Sequence, residues 1–463
     1  MSVQIQVRTH DKFRLEVAVF SHPQKKPLLI DLFWFSPKQL DITKTSYPKS
    51  LFYRYLNNNL RYRIPDQTLG QLASPVNPYM QMLVEEIENE DERAYLDALK
   101  LFSVIFVKAL RKEITTEPAN RAGEQLLASN RHAKEILILL RAHAPMPVKT
   151  RKLGFKVVNE FCSSQMIQCY LSCIAELPDG EKKEYMLETV SAERDYRQRM
   201  GLSALDGKSG FVKTVQKLKL ARRYCESVLF LETHRRELGV VTQQIIFSLA
   251  AAFSMMLAML IAFWSQQRYG NFTTSFLVAM VLGYIVKDRL KELSRDVTYL
   301  RLSRYMFDYG TQLRSDLLQC KRPLGKVKEV VQFIKAKKLD KVIGNIHSKL
   351  QQSEKGLYES ALMYRRHFKT NTLEMPKGIE QYADFSVFNL RKMLRNASYQ
   401  DYSFYYQKGG KVIDRRVQPT YTVELVVRIS GDGPVSYQRH HLTVTRKGIR
   451  DIREGLIGAN QPA

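Results

Sequence analysis

Cysteine is scarce: five in 463 residues, too few and too scattered for a disulfide framework, so nothing calls for an oxidising compartment. Acidic residues are short as well, with 46 Asp and Glu against 72 Lys and Arg and a net charge of +26. Internal repeats and low-complexity tracts are missing. So are Gly-x-Ser-x-Gly and His-Glu-x-x-His. That removes the hydrolases those motifs define, but not an enzyme whose residues come from distant positions. Residues 1–14 are polar and strand-like rather than an apolar leader, so no cleavable secretory signal is expected.

The most informative absence is charge itself. Residues 245–264 hold no Asp, Glu, Lys, Arg or His, and 269–286 repeat that pattern after a polar gap around Arg268. At about 1.5 Å per residue the first run covers roughly 30 Å, the thickness of a bilayer's hydrocarbon, and the second roughly 27 Å. The spacing predicts a membrane hairpin; a buried pair of core helices is the competing reading. Charge-free spans argue against a transporter, whose ion path needs ionisable residues within the membrane. Ala258 and Ala262, like Ala279 and Gly283, lie four apart, which suits close packing within the hairpin or self-association into a homo-oligomer.

Basic residues set the expected orientation. Arg222, Arg223, Arg235 and Arg236 precede the first span; Lys287, Arg289, Lys291, Arg295, Arg301 and Arg304 follow the second, and Arg268 alone sits between them. By the positive-inside rule both termini are expected in the cytoplasm, and the compact loops suit a bacterial inner membrane. For a basic chain held at a membrane, anionic lipid headgroups are the nearest polyanion. Arg222, Arg223, Arg235, Arg236, Lys287, Arg289 and Lys291 are the residues placed to meet them. An unidentified protein and, less favoured, nucleic acid are the other partners expected from the charge, and no cofactor is expected.

Elsewhere the pattern is mixed. Residues 3–7, 13–19 and 27–35 read as three antiparallel strands and 47–60 as a helix. Helical periods then run over 79–112, 119–142, 151–177, 181–200 and 210–238, and a helix after the second span continues to about 319. Beyond Pro323, 326–334 reads as strand or helix, 339–350 as helix, 362–368 as strand and 384–395 as helix. An antiparallel meander over 402–407, 412–417, 420–429 and 435–444 closes the chain, with 457–463 as a loose tail. The expected fold is an α+β membrane protein. Its parts are an N-terminal β-rich unit (1–72), a cytoplasmic helical bundle and stalk (78–239) and a two-helix transmembrane hairpin (240–287, with spans 245–264 and 269–286). A stalk helix (288–320) and a C-terminal α+β cytoplasmic domain with an antiparallel meander (321–463) follow. The two β-rich ends are expected on one side of the membrane, either packed together or as independent units.

Five stretches invite a chemical reading, and each has a plainer one. Gly207-Lys208-Ser209 lacks the Gly four residues upstream that a phosphate loop needs, so a glycine-rich connector is favoured. Cys162, Met166, Cys169 and Cys173 share one helix face, which reads as core rather than a metal site. The acidic run 85–92 has no EF-hand pattern and reads as a solvated face. His440 and His441 are adjacent on a strand and must point to opposite sides. The stretch 326–369 carries eleven Lys and Arg against four acids, with Phe333, Tyr358, Tyr364 and Phe368 interleaved. Such a pattern can track a nucleic-acid backbone, but aromatics at this spacing are more often core. The expected function is a non-enzymatic scaffold, recruiter or sensor at a membrane surface. A membrane-tethered nucleic-acid-associated protein and a membrane-near enzyme are the alternatives.

Overall fold

A computed structural model describes residues 3–88, 91–115, 124–144, 149–177, 180–202, 210–270, 273–302, 306–315, 323–335, 339, 341–346, 360–371, 375–376 and 379–455. Gly207 to Ser209, Arg304, Tyr358, the tail 457–463 and the side chains of Arg295 and Arg301 lie outside that set. The described chain is 48% helix and 30% strand, with antiparallel sheets.

The strands come from both ends of the chain and interleave. β1 (Gln4–Thr9), β2 (Arg14–Ser21), β4 (Leu56–Tyr62) and β9 (Tyr382–Asn389) form a four-stranded sheet in the order β1-β2-β9-β4. β3 (Leu28–Phe35) leaves its neighbours for an eight-stranded sheet, where it lies between β8 (Ser360–Thr370) and β12 (Tyr421–Ser430). β13 (Ser436–Thr445) and β14 (Gly448–Gly455) extend that sheet on one side. On the other come β7 (Gly325–Lys335), β6 (Tyr309–Arg314) and β5 (Glu232–Glu237). β3 explains the arrangement: LLIDLFWF is buried along almost its whole length, and a strand apolar on both faces needs cover on both faces. A small three-stranded unit cannot give it that. The two sheets face each other through Trp34 and Phe388, 5.1 Å between ring centres, and through Phe368 and Tyr382, 5.6 Å.

Three local expectations are corrected. The 47–60 helix is only α1 (Lys49–Arg54), after which the asparagine-rich β4 pairs with β9; its polar residues hide the strand, although Asn58 reaches the buried Glu329 and Tyr364. The 384–395 helix is strand β9 followed by turns, in keeping with its Tyr, Phe and Val content. The paired stalk helices are shorter than expected, since α8 (Phe211–Glu226) stops well before 238 and α10 (Thr274–Leu302) ends well before 319. The segments between, Glu232–Glu237 and Tyr309–Arg314, are paired strands; β5, at the sheet edge, is highly charged, as exposed edges usually are.

Between the sheets' strands in sequence lie α2 (Leu69–Ala73), α3 (Pro78–Glu88), α4 (Glu92–Thr115), α5 (Glu124–Ala142), α6 (Lys149–Glu176), α7 (Glu181–Arg199) and α8. The expected 79–112 helix is broken in two at the acidic run. Asp91 Oδ1 accepts from the backbone N–H groups of Arg93 (2.9 Å) and Ala94 (3.3 Å), an N-cap that starts α4. Cys162, Met166, Cys169 and Cys173 are all buried on α6, as their spacing predicts. Bundle and sandwich share one core. Lys108 Nζ on α4 reaches the Ile64 carbonyl (2.7 Å) and Asp66 (2.6 Å) just after β4.

Candidate functional site

α9 (Gly239–Tyr269) and α10 pack against each other, antiparallel, and the pair is inserted between the edge strand β5 and its neighbour β6. Little covers it. Of α9, Ile246, Ala250, Ser254 and Ser265 are buried, while Leu260 and Trp264 are 56% and 63% exposed. Among the described residues α9 is the one helix long and apolar enough to cross a membrane by length and composition, over Gly239–Arg268. α10 is charge-free only as far as Val286, after which Lys287-Asp288-Arg289 begins.

The seam between the helices uses the small residues. A Cβ on Gly283 would lie 3.2 Å from Ile261 Cγ2, so glycine sets the closest approach. Ala258, Ala262 and Gly283 line a cleft of about 180 Å³ with Met255, Met280 and Tyr284, and Ala279 is half-buried one turn earlier on α10. All four thus sit within the hairpin. Ile261 opposite Gly283 and Ala258 near Lys287 also fix the register. Counting from these pairs, the part of α9 before Ala258 lies beside the charged half of α10. The length over which both helices are apolar is therefore only about 20 Å.

At the root, chain entry and exit are pinned together. The Leu238 N–H donates to the Asp308 carbonyl (3.1 Å), and Leu238 lies over Gly310, where a Cβ would come within 2.8 Å of it. The Asp308 carboxylate accepts from Lys49 Nζ (2.6 Å), the Tyr53 hydroxyl (2.9 Å) and the Val331 N–H (3.0 Å). Arg235, four residues before the start of α9, stacks 3.9 Å over the Tyr309 ring and bonds to Glu329 at 3.1 Å. Glu329 is 2% exposed and also accepts from Asn58 Nδ2 at 2.7 Å. Arg366 lies 3.4 Å from Glu329 and continues the chain to Asp384 and to Ser386 (3.2 Å), crossing from one sheet to the other. Burial works against the Arg366 charge, yet Asp384, Tyr364 and Glu329 outweigh it and raise its pKa. Burial, then Asp308, pushes the Tyr53 hydroxyl well up, so it donates as a neutral phenol. The hairpin's root is thereby joined to a charge network inside the sandwich.

The basic residues expected to meet anions are not equivalent. Arg235 turns towards the core as described, while Arg236 is exposed on the opposite face of β5. Lys287 sits 4.0 Å over the Tyr284 ring, Arg289 pairs with Glu292 at 3.3 Å, and Lys291 is exposed. Arg222 and Arg223 belong to α8. Arg222 pairs with Glu226 (2.7 Å), and with Lys219 and Arg223 it lines an open cleft of about 320 Å³. Glu329, Asp308, Arg366 and Asp384 escaped the sequence reading. A signal was present in part, since Asp384 lies between Ala383 and Phe385 in a mostly apolar strand and Glu329 is the single acid of β7.

The remaining candidates stay structural. Tyr364 and Phe368 of the basic stretch are core residues, and Arg365 and Arg428 both bind the buried Asp31 (2.6 Å each) on the sheet's outer face. His440 is buried, and His441 points the other way to Glu424, which also binds Arg439 at 3.1 Å. Burial pushes the Cys225 thiol up to about 12 and the Cys162 thiol well up, so neither is a reactive thiolate. Among the described residues no group of three His, Cys, Asp or Glu could hold a metal ion. No family model, curated protein or solved structure compared with this chain gives a significant match, so function must be argued from residues and geometry.

Proposed function

We propose that the chain is an integral membrane protein of a bacterial inner membrane. The α9–α10 pair enters the bilayer, and the sandwich and bundle stand together on the cytoplasmic side as a non-enzymatic scaffold or sensor. The observation that carries this reading is the uncovered apolar hairpin: apolar patches of this extent on a soluble surface mark an interaction site or a membrane contact. The basic residues at its root and along α10, with Arg268 alone at the tip, support the orientation. The shared apolar length of about 20 Å is short for a hydrocarbon core of about 30 Å, and thinning of the bilayer or snorkelling of Lys287 and Arg289 would accommodate it. The root network supports the sensor reading. A shift of the helices must move Leu238 and Asp308, and with them Arg235, Lys49 and Tyr53, which reach into the body.

Extraction of native membranes with high salt and then alkaline carbonate tests the anchor, and the protein should stay in the pellet. Recovery in the soluble fraction would overturn it. A nucleic-acid role draws support only from net charge, and several of the cations concerned are already committed to Asp31 and Glu424.

A further inference from the structure

β10 (Tyr402–Lys408) and β11 (Lys411–Val417) form a two-stranded sheet of their own, in register from Tyr402 opposite Val417 to Lys408 opposite Lys411. Gly409 and Gly410, both at positive φ (58° and 77°), make the tight turn that such a hairpin requires. Its side chains face solvent: Tyr402, Phe404 and Tyr405 are 64%, 61% and 65% exposed, and Val412 is 73%. An isolated two-stranded hairpin is marginal in water, and this one is apolar on both faces. Phe404 and Tyr406 stack at 6.3 Å on one face with Ile413, while Tyr405 and Val412 occupy the other. Lys408, Lys411, Arg415 and Arg416 surround them against the single acid Asp414.

The topology says where this arm stands. It leads directly into Tyr421, the first residue of β12. Every neighbouring pair from β12 to β5 is antiparallel, so the start of β12 lies at the same end of the large sheet as Glu237 and Tyr309, where the helices leave. β7 continues about 20 Å past Glu329 towards that end. The charged leg of α10, from Lys287 to Leu302, is about 22 Å long. The helix pair thus becomes apolar on both sides only about 22 Å from Leu302, a length similar to that of the β7 overhang.

From this placement we infer that the β10–β11 arm is a second lipid contact, seated in the interface of an anionic bilayer beside the point where the helices enter. Tyr and Phe suit the headgroup level, and the four cations suit anionic lipid. The inference rests on the membrane reading above.

Hydrogen exchange on the full chain tests it, in nanodiscs of phosphatidylcholine with or without phosphatidylglycerol. Amides of 402–417 should exchange at least about tenfold more slowly with the anionic lipid, as burial of several aromatic side chains would bring, while those of β12 stay unchanged. Replacing Tyr402, Phe404 and Tyr405 together with Ser should abolish that difference and leave the chain in the carbonate pellet. Equal arm exchange in both lipids would overturn the inference, as would protection that follows the number of copies per disc rather than the lipid. Release of the wild-type chain by carbonate would instead bring down the membrane reading itself.

Discussion

α4 and α9 are both long and rich in apolar residues, yet they meet opposite fates. α4 buries Tyr95, Leu99, Phe102, Ile105, Phe106 and Leu110 among its neighbours; α9 leaves most of its large side chains open. α9 is the more apolar of the two, and the difference shows most plainly in the polar rim. α4 keeps Lys100, Lys108 and Arg111 at intervals, and each finds a partner: Asp97, Asp66 and Gln165. Those residues tell the bundle which side of α4 faces water. From Gly239 to Gln267 α9 has no charge to perform that task, and among the described residues α10 is its main packing partner.

The sharpest test of that contrast sets one truncation in each helix side by side. Phe106→Ala should cost about 3–5 kcal/mol, because α4 is enclosed and cannot collapse onto the cavity. Leu260→Ala, in the same detergent, should stay within about 0.5 kcal/mol. Urea unfolding read from the circular dichroism of the body measures both, and a similar cost at Leu260 would mean that α9 is part of the core.

Arg366→Met probes the network instead of the apolar core. It leaves Glu329 and Asp384 buried without their shared cation, and the midpoint of the same unfolding curve should fall by the equivalent of about 3 kcal/mol. Little change would show that the two carboxylates are neutral or hydrated, and would remove the proposed link between the hairpin's root and the sandwich.

A smaller effect belongs to the seam. Gly283→Val must push on Ile261 and should cost the helix pair about 1–3 kcal/mol, read as faster protease cleavage of the hairpin in detergent. An unchanged cleavage rate would mean that the seam opens freely.

The smallest predicted effect is a limb of the pH profile. Burial lowers the His440 pKa below its ordinary 6.5, against Glu454, which raises it, and with His441, which lowers it further. As pH falls below 6.5 the unfolded chain takes up this proton before the folded chain does, so stability should decline until the folded value is passed. Above 6.5 this contribution is flat. His440→Leu should remove that limb from a plot of urea midpoint against pH, and a variant profile parallel to wild type would contradict the assignment.

How much was legible depended on whether a pattern is local. The bundle helices were readable because their apolar residues recur at helical spacing, and the Cys162 to Cys173 face came with them. The four strands of the expected terminal meander were readable from alternation and from the paired glycines at the first turn, but their pairing was not: β10 and β11 form a sheet of their own, β12 pairs with β3 as well as β13, and β14 was missed. β4 was not, because Asn57, Asn58 and Asn59 look like loop until Glu329 and Tyr364 are placed opposite Asn58. β5 and its partner β6 were not either, since β5 at the edge is almost all charged and β6 is short, and neither carries a clear apolar alternation. The helix expected to run from 210 to 238 therefore stops at Glu226, with a paired strand in its place.

The sequence by itself determined the elements that answer only to their own residues: the charge-free run of α9, the small-residue positions Ala258, Ala262, Ala279 and Gly283, the basic balance, and the helices of the bundle. Tertiary structure alone decided that β3 would sit between strands from the far end of the chain. It also decided that the helix pair would grow from a sheet edge, and that Arg235 would turn towards Glu329 rather than outwards. The physical reason is range. Periodicity records which face of an element must be hidden, but the partner that hides it, and the charge that balances a buried one, can come from hundreds of residues away.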